Sequence, residues 1–123
     1  PRLQHYFDPP LALNLPEKIV SDASPISLPL PEMNGSKFDF LKIDLFSNVA
    51  TQSRLEIDIT WTSELGEGRV RFVPESGTNL IPLGAFGEWL LSEKIQNLQI
   101  TPVSGPTHLK YTVRNVELLR LKD

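Results

Sequence analysis

The chain has 123 residues, 40% hydrophobic and 22% charged, with a formal net charge of −3 and no cysteine. This is ordinary globular composition, and one domain of this length buries roughly two-thirds of its unfolded surface without needing a metal or a disulfide. The missing cysteines exclude disulfides, thiol chemistry and cysteine-zinc sites, and the scattered lysines and arginines offer no clustered surface for nucleic acid.

Seven of the eleven prolines fall within residues 1–31, so that stretch reads as extended and edge-lying, because proline cannot donate to a central ladder. Within it Leu11, Leu13 and Leu15 alternate, as do Ile26, Leu28 and Leu30, and each series predicts a short edge strand. Asn34-Gly35 predicts a turn because both residues tolerate positive φ, and the formal glycosylation sequon Asn34-Gly35-Ser36 is read as that turn. Phe38 and Phe40 alternate in one phase and Leu41, Ile43 and Leu45 in the other, which predicts a bulge near Phe40-Leu41.

The cleanest strand is Leu55 to Trp61, with Leu55, Ile57, Ile59 and Trp61 on one face and Glu56, Asp58 and Thr60 on the other. Ser63 to Gly68 reads as a loop, with Gly66-Glu67-Gly68 as turn residues, and Arg69 to Val73 returns as the second arm of a hairpin. Only registers that keep the two apolar faces together avoid burying charge. Ile59 opposite Val70 also sets Ile57 opposite Phe72, Asp58 opposite Arg71 as an exposed ion pair, and Thr60 opposite Arg69.

Gly77 opens a turn before a strand over Asn79 to Leu83, and Phe86 to Lys94 predicts a helix of at most two turns with Trp89 and Leu90 facing inward. Leu98 and Ile100 mark a strand ended by Pro102. Leu109, Tyr111 and Val113, then Val116, Leu118 and Leu121, mark a closing pair. Eight or nine short strands with almost no helix predict an all-β antiparallel sandwich of the jelly-roll kind, one domain over residues 1–123. Its core should hold Leu41, Ile43, Leu45, Leu55, Ile57, Ile59, Val70, Phe72, Leu98, Ile100, Val113 and Val116.

No apolar run approaches the roughly eighteen residues of a membrane-spanning helix, and no signal peptide is evident. The chain starts at Pro1 rather than Met, which we read as processing or as excision from a longer protein.

Catalytic signatures are weak. His5 and His108 lack zinc spacing and read as surface residues, and no Gly-x-Ser-x-Gly elbow is present. Asp39, Asp44, Glu56 and Asp58 alternate with apolar residues, so they read as outward-facing, solvated or salt-bridged carboxylates rather than as a catalytic pair. Trp61 is in phase with the core. Trp89, beside Gly84 and Gly87, is either a structural lid or a ligand platform; Tyr6, Phe7 and Tyr111 form no stripe.

Three segments resemble galactose-binding-like jelly rolls, the fold of many carbohydrate-binding modules. They are Phe40-Leu41-Lys42-Ile43-Asp44-Leu45, then Trp89 followed by Ile95, Leu98, Gln99, Ile100 and Pro102, and Tyr111 to Leu118. The resemblance spans about residues 38–121 and implies a jelly-roll fold and, by analogy, glycan binding on loops or on a concave sheet face. We read the chain as a non-catalytic accessory domain of a larger, extracytoplasmic bacterial protein connected with glycans, with Trp89 as the candidate ligand residue and glycan or the rest of its own polypeptide as partner; the absence of cysteine fits a cytoplasmic protein equally. Such modules often carry a structural calcium, but no acidic cluster of that density is present, and no cofactor is expected. The alternative is a structural or protein-interaction domain with no small ligand. A binder should display an aromatic side chain beside a polar groove, whereas a spacer should bury both tryptophans.

Overall fold

A computed structural model describes residues 6–13, 15, 18–20, 24–47, 55–104 and 110–122. Among these described residues nine strands follow in chain order: β1 (Leu11–Ala12), β2 (Lys18–Val20), β3 (Ile26–Ser27), β4 (Phe40–Ser47), β5 (Glu56–Ser63), β6 (Gly66–Phe72), β7 (Gly77–Ile81), β8 (Gln96–Ser104) and β9 (Tyr111–Leu119). One helical turn, α1 (Gly87–Leu90), precedes β8.

The pairings are nested. β5 pairs with β6, β4 with β7, β3 with β8 and β2 with β9, all antiparallel, so the chain is a long ribbon with its tip at Glu64-Leu65. Two further pairings, β4 with β9 and β5 with β8, fold that ribbon into two sheets. One has the order β1-β9-β4-β7, with β2 following β1 along the same edge of β9, and the other β3-β8-β5-β6. The protein is an all-β antiparallel sandwich, as its alternation predicts.

Alternation also explains the core. Leu41, Ile43 and Leu45 of β4 and Val113, Val116 and Leu118 of β9 are buried against Ile57, Ile59 and Trp61 of β5 and Leu98 and Ile100 of β8. Every residue expected in the core is buried except Phe72, which is half-buried at the end of an edge strand. The hairpin register is the expected one, with Ile59 opposite Val70 and Asp58 opposite Arg71. The short edge strands at Leu11 and Ile26 form where the leucine and isoleucine series place them.

Several local expectations are corrected. The loop of Ser63 to Gly68 shrinks to the two residues Glu64 and Leu65, because Gly66 adopts φ +104° and starts β6 directly opposite Ser63. Phe40 and Leu41 are consecutive residues of one strand with no bulge between them. Phe40 faces outward, where it packs edge-on against Phe7 at 5.7 Å. The irregularity instead falls opposite Ile43, in β9, where Asn115 takes φ +53°. That bulge lets Tyr111 to Leu119 run as one strand rather than the two expected. Leu109 lies outside the described residues.

β8 likewise continues past Pro102 to Ser104. The β3 pairing reaches only as far as Ile100, so proline's missing amide costs no bond on that edge. β7 ends at Ile81, and Leu83 belongs to a 3-10 turn. The expected helix is a single turn, and Leu90 lies 43% exposed rather than inward.

The Asn34-Gly35 turn is a 3-10 turn over Gly35–Lys37 in which the Asn34 carboxamide oxygen accepts from the Ser36 amide at 2.9 Å. Neither residue needs positive φ here. Glycine is required for space: a Cβ on Gly35 would sit 1.7 Å from the Trp89 carbonyl oxygen.

Candidate functional site

Trp89 is fully buried. Its indole stands edge-to-face on Trp61 with 5.3 Å between ring centroids, and its Nε1 donates to the Phe38 carbonyl at 2.9 Å. Trp61 is 1% exposed and donates to the Glu88 carbonyl at 3.2 Å. Each indole thus has its apolar body in the core and its single donor satisfied. The pair joins the tip end of β5 to α1, the helical turn that carries Trp89. A ligand platform at Trp89 is therefore corrected to the structural lid, since neither ring face is open to a sugar.

The same end is stitched by polar contacts. The buried Ser92 hydroxyl bonds with the Ser63 hydroxyl and the Glu88 carbonyl, tying the hairpin tip to α1. The Glu64 carboxylate accepts from the amides of Glu93 at 2.8 Å and Lys94 at 3.0 Å. The Glu93 amide chiefly, with the Lys94 amide adding to it against some desolvation, holds the Glu64 carboxyl below its ordinary value.

The other residues singled out in the sequence do not converge. Asp39 accepts from the Leu121 amide at 2.8 Å. Asp44 takes the Thr78 hydroxyl and the Asn115 carboxamide, both at 2.8 Å. Desolvation opposes ionisation of Asp44, but these bonds, with Lys42 and Arg114 nearby, outweigh it and hold the carboxyl below its usual range. Asp58 lies in the opposite sheet and Glu56 is already engaged. His5 and His108 lie outside the described residues. Among the aromatics, Tyr6 is exposed, Phe7 buried, and Tyr111 buried with its hydroxyl donating to the Ser24 carbonyl at 3.2 Å. Among the described residues no three metal-ligating side chains gather.

What the fold does bring together is a polar groove of about 680 Å³ on the outer face of β5, β6 and β8. The ladders set three rungs across this face. Ser27, Gln99, Thr60 and Arg69 form the central one; Thr101, Asp58 and Arg71 form the second; Gln96, Thr62 and Glu67 form the third. Period-2 alternation puts nine of the ten side chains outward because their neighbours Ile57, Ile59, Trp61, Val70 and Ile100 face the core, and the bulge at Asn97 turns Gln96 to the same face. None of the ten is aromatic or aliphatic; the apolar members of this side are Trp61, which also lines the groove, and Val103, the next outward position of β8, 43% exposed.

Between the first and third rungs β8 bulges at Asn97, whose φ of +56° presents its carboxamide to the Thr62 hydroxyl at 2.9 Å. Gln99 reaches the Ser27 hydroxyl at 3.4 Å. Asp58 is 7% exposed, and Arg71 grips both its oxygens, Nε to Oδ1 at 2.8 Å and a terminal nitrogen to Oδ2 at 3.1 Å. The carboxylate side of the ion pair is thus more sheltered than its expected exposed form, while the Arg71 side chain stays 43% exposed.

The outer face of the other sheet differs. There Lys42 pairs with Glu117 at 3.3 Å, Asp44 is bonded twice, and the Arg114 guanidinium lies 4.7 Å over the Phe46 ring. Its charged groups are thus each engaged, Lys42 and Glu117 by one another, Asp44 by neutral donors and Arg114 by a ring, whereas the Arg69 guanidinium in the groove makes no hydrogen bond to a described residue.

The groove was missed in the sequence. Its one signal was the outward polar phase of β5; the Gln99 and Arg69 contributions appear only once β8 and β6 are placed on either side.

Compared with protein-family models, curated proteins and solved structures, the chain matches none. The functional reading therefore rests on the site itself.

Proposed function

We propose that this chain is a non-catalytic binding module whose ligand, a glycan, lies across the rungs of β3, β8, β5 and β6. One observation carries the reading: ten hydrogen-bonding side chains share an open sheet face, and six of them line the groove together with Asn97 and the nearly buried Trp61. Ligand pockets for apolar molecules are lined mainly by hydrophobic side chains, and this groove is not. Threonine hydroxyls and carboxamides both donate and accept, which matches the dual character of sugar hydroxyls.

The nested pairing order supports a jelly roll in the narrower sense, a ribbon rolled into two Greek-key sheets. With the resemblance of Phe40–Leu45 and Tyr111–Leu118 to galactose-binding-like modules, it supports an accessory domain of a larger, extracytoplasmic bacterial protein connected with glycans. The carboxylates support the absence of catalysis, since Asp39, Asp44 and Asp58 are each occupied by a structural partner.

A second reading has its own observation. Both tryptophans are buried, which favours a structural or protein-interaction domain with no small ligand.

A glycan array followed by calorimetric titration separates the two. On the first reading at least one oligosaccharide binds, Thr60→Val and Gln99→Ala each weaken it about tenfold, and Trp89→Phe leaves it intact in the folded fraction. Absence of binding to any glycan would transfer the proposal to the structural reading.

A further inference from the structure

We propose that Arg69 is the specificity residue of the groove and selects saccharides carrying one carboxylate over their neutral counterparts. The inference rests on the groove being the glycan-binding face, and deepens that reading by naming the ligand's charge.

Two arginines stand on the same face of β6, at alternate positions, and among the described residues Asp58 is the carboxylate within 4 Å of both. Arg71 consumes it: both Asp58 oxygens are occupied by its guanidinium, in the side-by-side geometry that makes Arg–carboxylate pairs strong. Glu56, the next outward residue of β5, also acts on Arg71 and is itself engaged. Arg69 is left with a single long approach, 3.9 Å from one terminal nitrogen to Asp58 Oδ2, beyond hydrogen-bond range, and its side chain is 62% exposed. Its planar N–H fork therefore has no hydrogen-bond partner among the described residues.

That fork stands at one end of the central rung. Thr60 and Gln99 continue the line away from it, so a ligand carboxylate on Arg69 leaves the attached sugar over the neutral part of the groove. The remaining charge limits the number of carboxylates. Glu67 is two positions from Arg69 on the same strand, about 7 Å along the backbone, and is exposed. A second carboxylate over the Thr62 rung would meet it, so a single terminal acid fits better than a polyanion. Arginine rather than lysine suits this role, since a planar fork recognises a carboxylate in two bonds.

The test uses the intact chain and three acidic saccharides: sialyllactose, glucuronosyl-xylotriose and a galacturonate disaccharide. Each is compared with its carboxyl methyl ester, which keeps shape and removes charge. At least one acid should bind about tenfold or more tightly than its ester. Arg69→Gln should bring the acid down to the ester's affinity and leave the ester unchanged. Arg69→Lys should recover only part, and raised salt should weaken the acid alone. Because Arg69 is exposed, unchanged thermal unfolding of the variants shows that the fold is retained. If acid and ester bind equally, or Arg69→Gln has no effect, the inference fails and the groove reading stands. If no saccharide, charged or neutral, binds, both fail.

Discussion

Gly68 and Trp61 face each other across the β5–β6 hairpin, and the indole occupies the volume a side chain on Gly68 would need. A Cβ there would lie 2.1 Å from the ring. The tryptophan can turn its edge to Trp89 and its Nε1 to the Glu88 carbonyl only because β6 offers bare backbone beneath it. Gly68→Ala should therefore cost about 1–3 kcal/mol in urea unfolding, as overpacking does in a filled core. A Gly68→Ala protein as stable as the parent would show that the two rings have room to move.

Trp89 gives a second, larger expectation. Removing a fully buried indole with a satisfied donor should cost about 3–5 kcal/mol, so Trp89→Ala should lower the unfolding midpoint steeply. Ile57→Ala or Ile59→Ala, both at zero exposure, should cost about 2–5 kcal/mol each.

The Asp58–Arg71 pair should behave as a sheltered one. Arg71→Met strands a carboxylate that is only 7% exposed, and should destabilise by about 1–3 kcal/mol. Adding Asp58→Asn should recover part of that loss, because the stranded charge is gone. A strictly additive double mutant in the same unfolding assay would mean that the two side chains are independent.

The hydrogen bonds to Glu64 and Asp44 carry a pH signature. Both carboxyls are held below their ordinary values, so the stability they contribute is fully present above those values. It is lost as pH falls through the depressed ones, where the folded state must also take up the proton. Unfolding free energy measured from neutral pH into the acid range should decline, and Glu64→Gln and Asp44→Asn should each flatten the decline. An unchanged slope in both variants would contradict the assignment.

Legibility in the sequence followed the range of the interaction. The strand Glu56–Ser63 and its register with β6 were readable because Ile57, Ile59 and Trp61 alternate with Asp58 and Thr60, and Arg71 supplied a matching charge two residues from the tip-side Arg69. The core followed from the same period. What could not be read were features made by pairings distant in sequence. The β4–β9 ladder hides a bulge at Asn115, and only a residue tolerant of positive φ marked its place. Trp89 sits near glycines, a local pattern equally compatible with display. Its burial depends on Phe38, Trp61 and Gly35 arriving from other parts of the chain. The groove was hidden for the same reason, since Thr60, Arg69 and Gln99 meet through two separate ladders.

The most direct test of the central claim is backbone amide mapping by nuclear magnetic resonance during titration with a glycan selected on the array. The account predicts that shifts concentrate at Asp58, Thr60, Thr62, Arg69, Asn97 and Gln99, with Trp89 and α1 unmoved. Shifts centred on residues 86–95 instead, or on the outer face of β4 and β9, would contradict it.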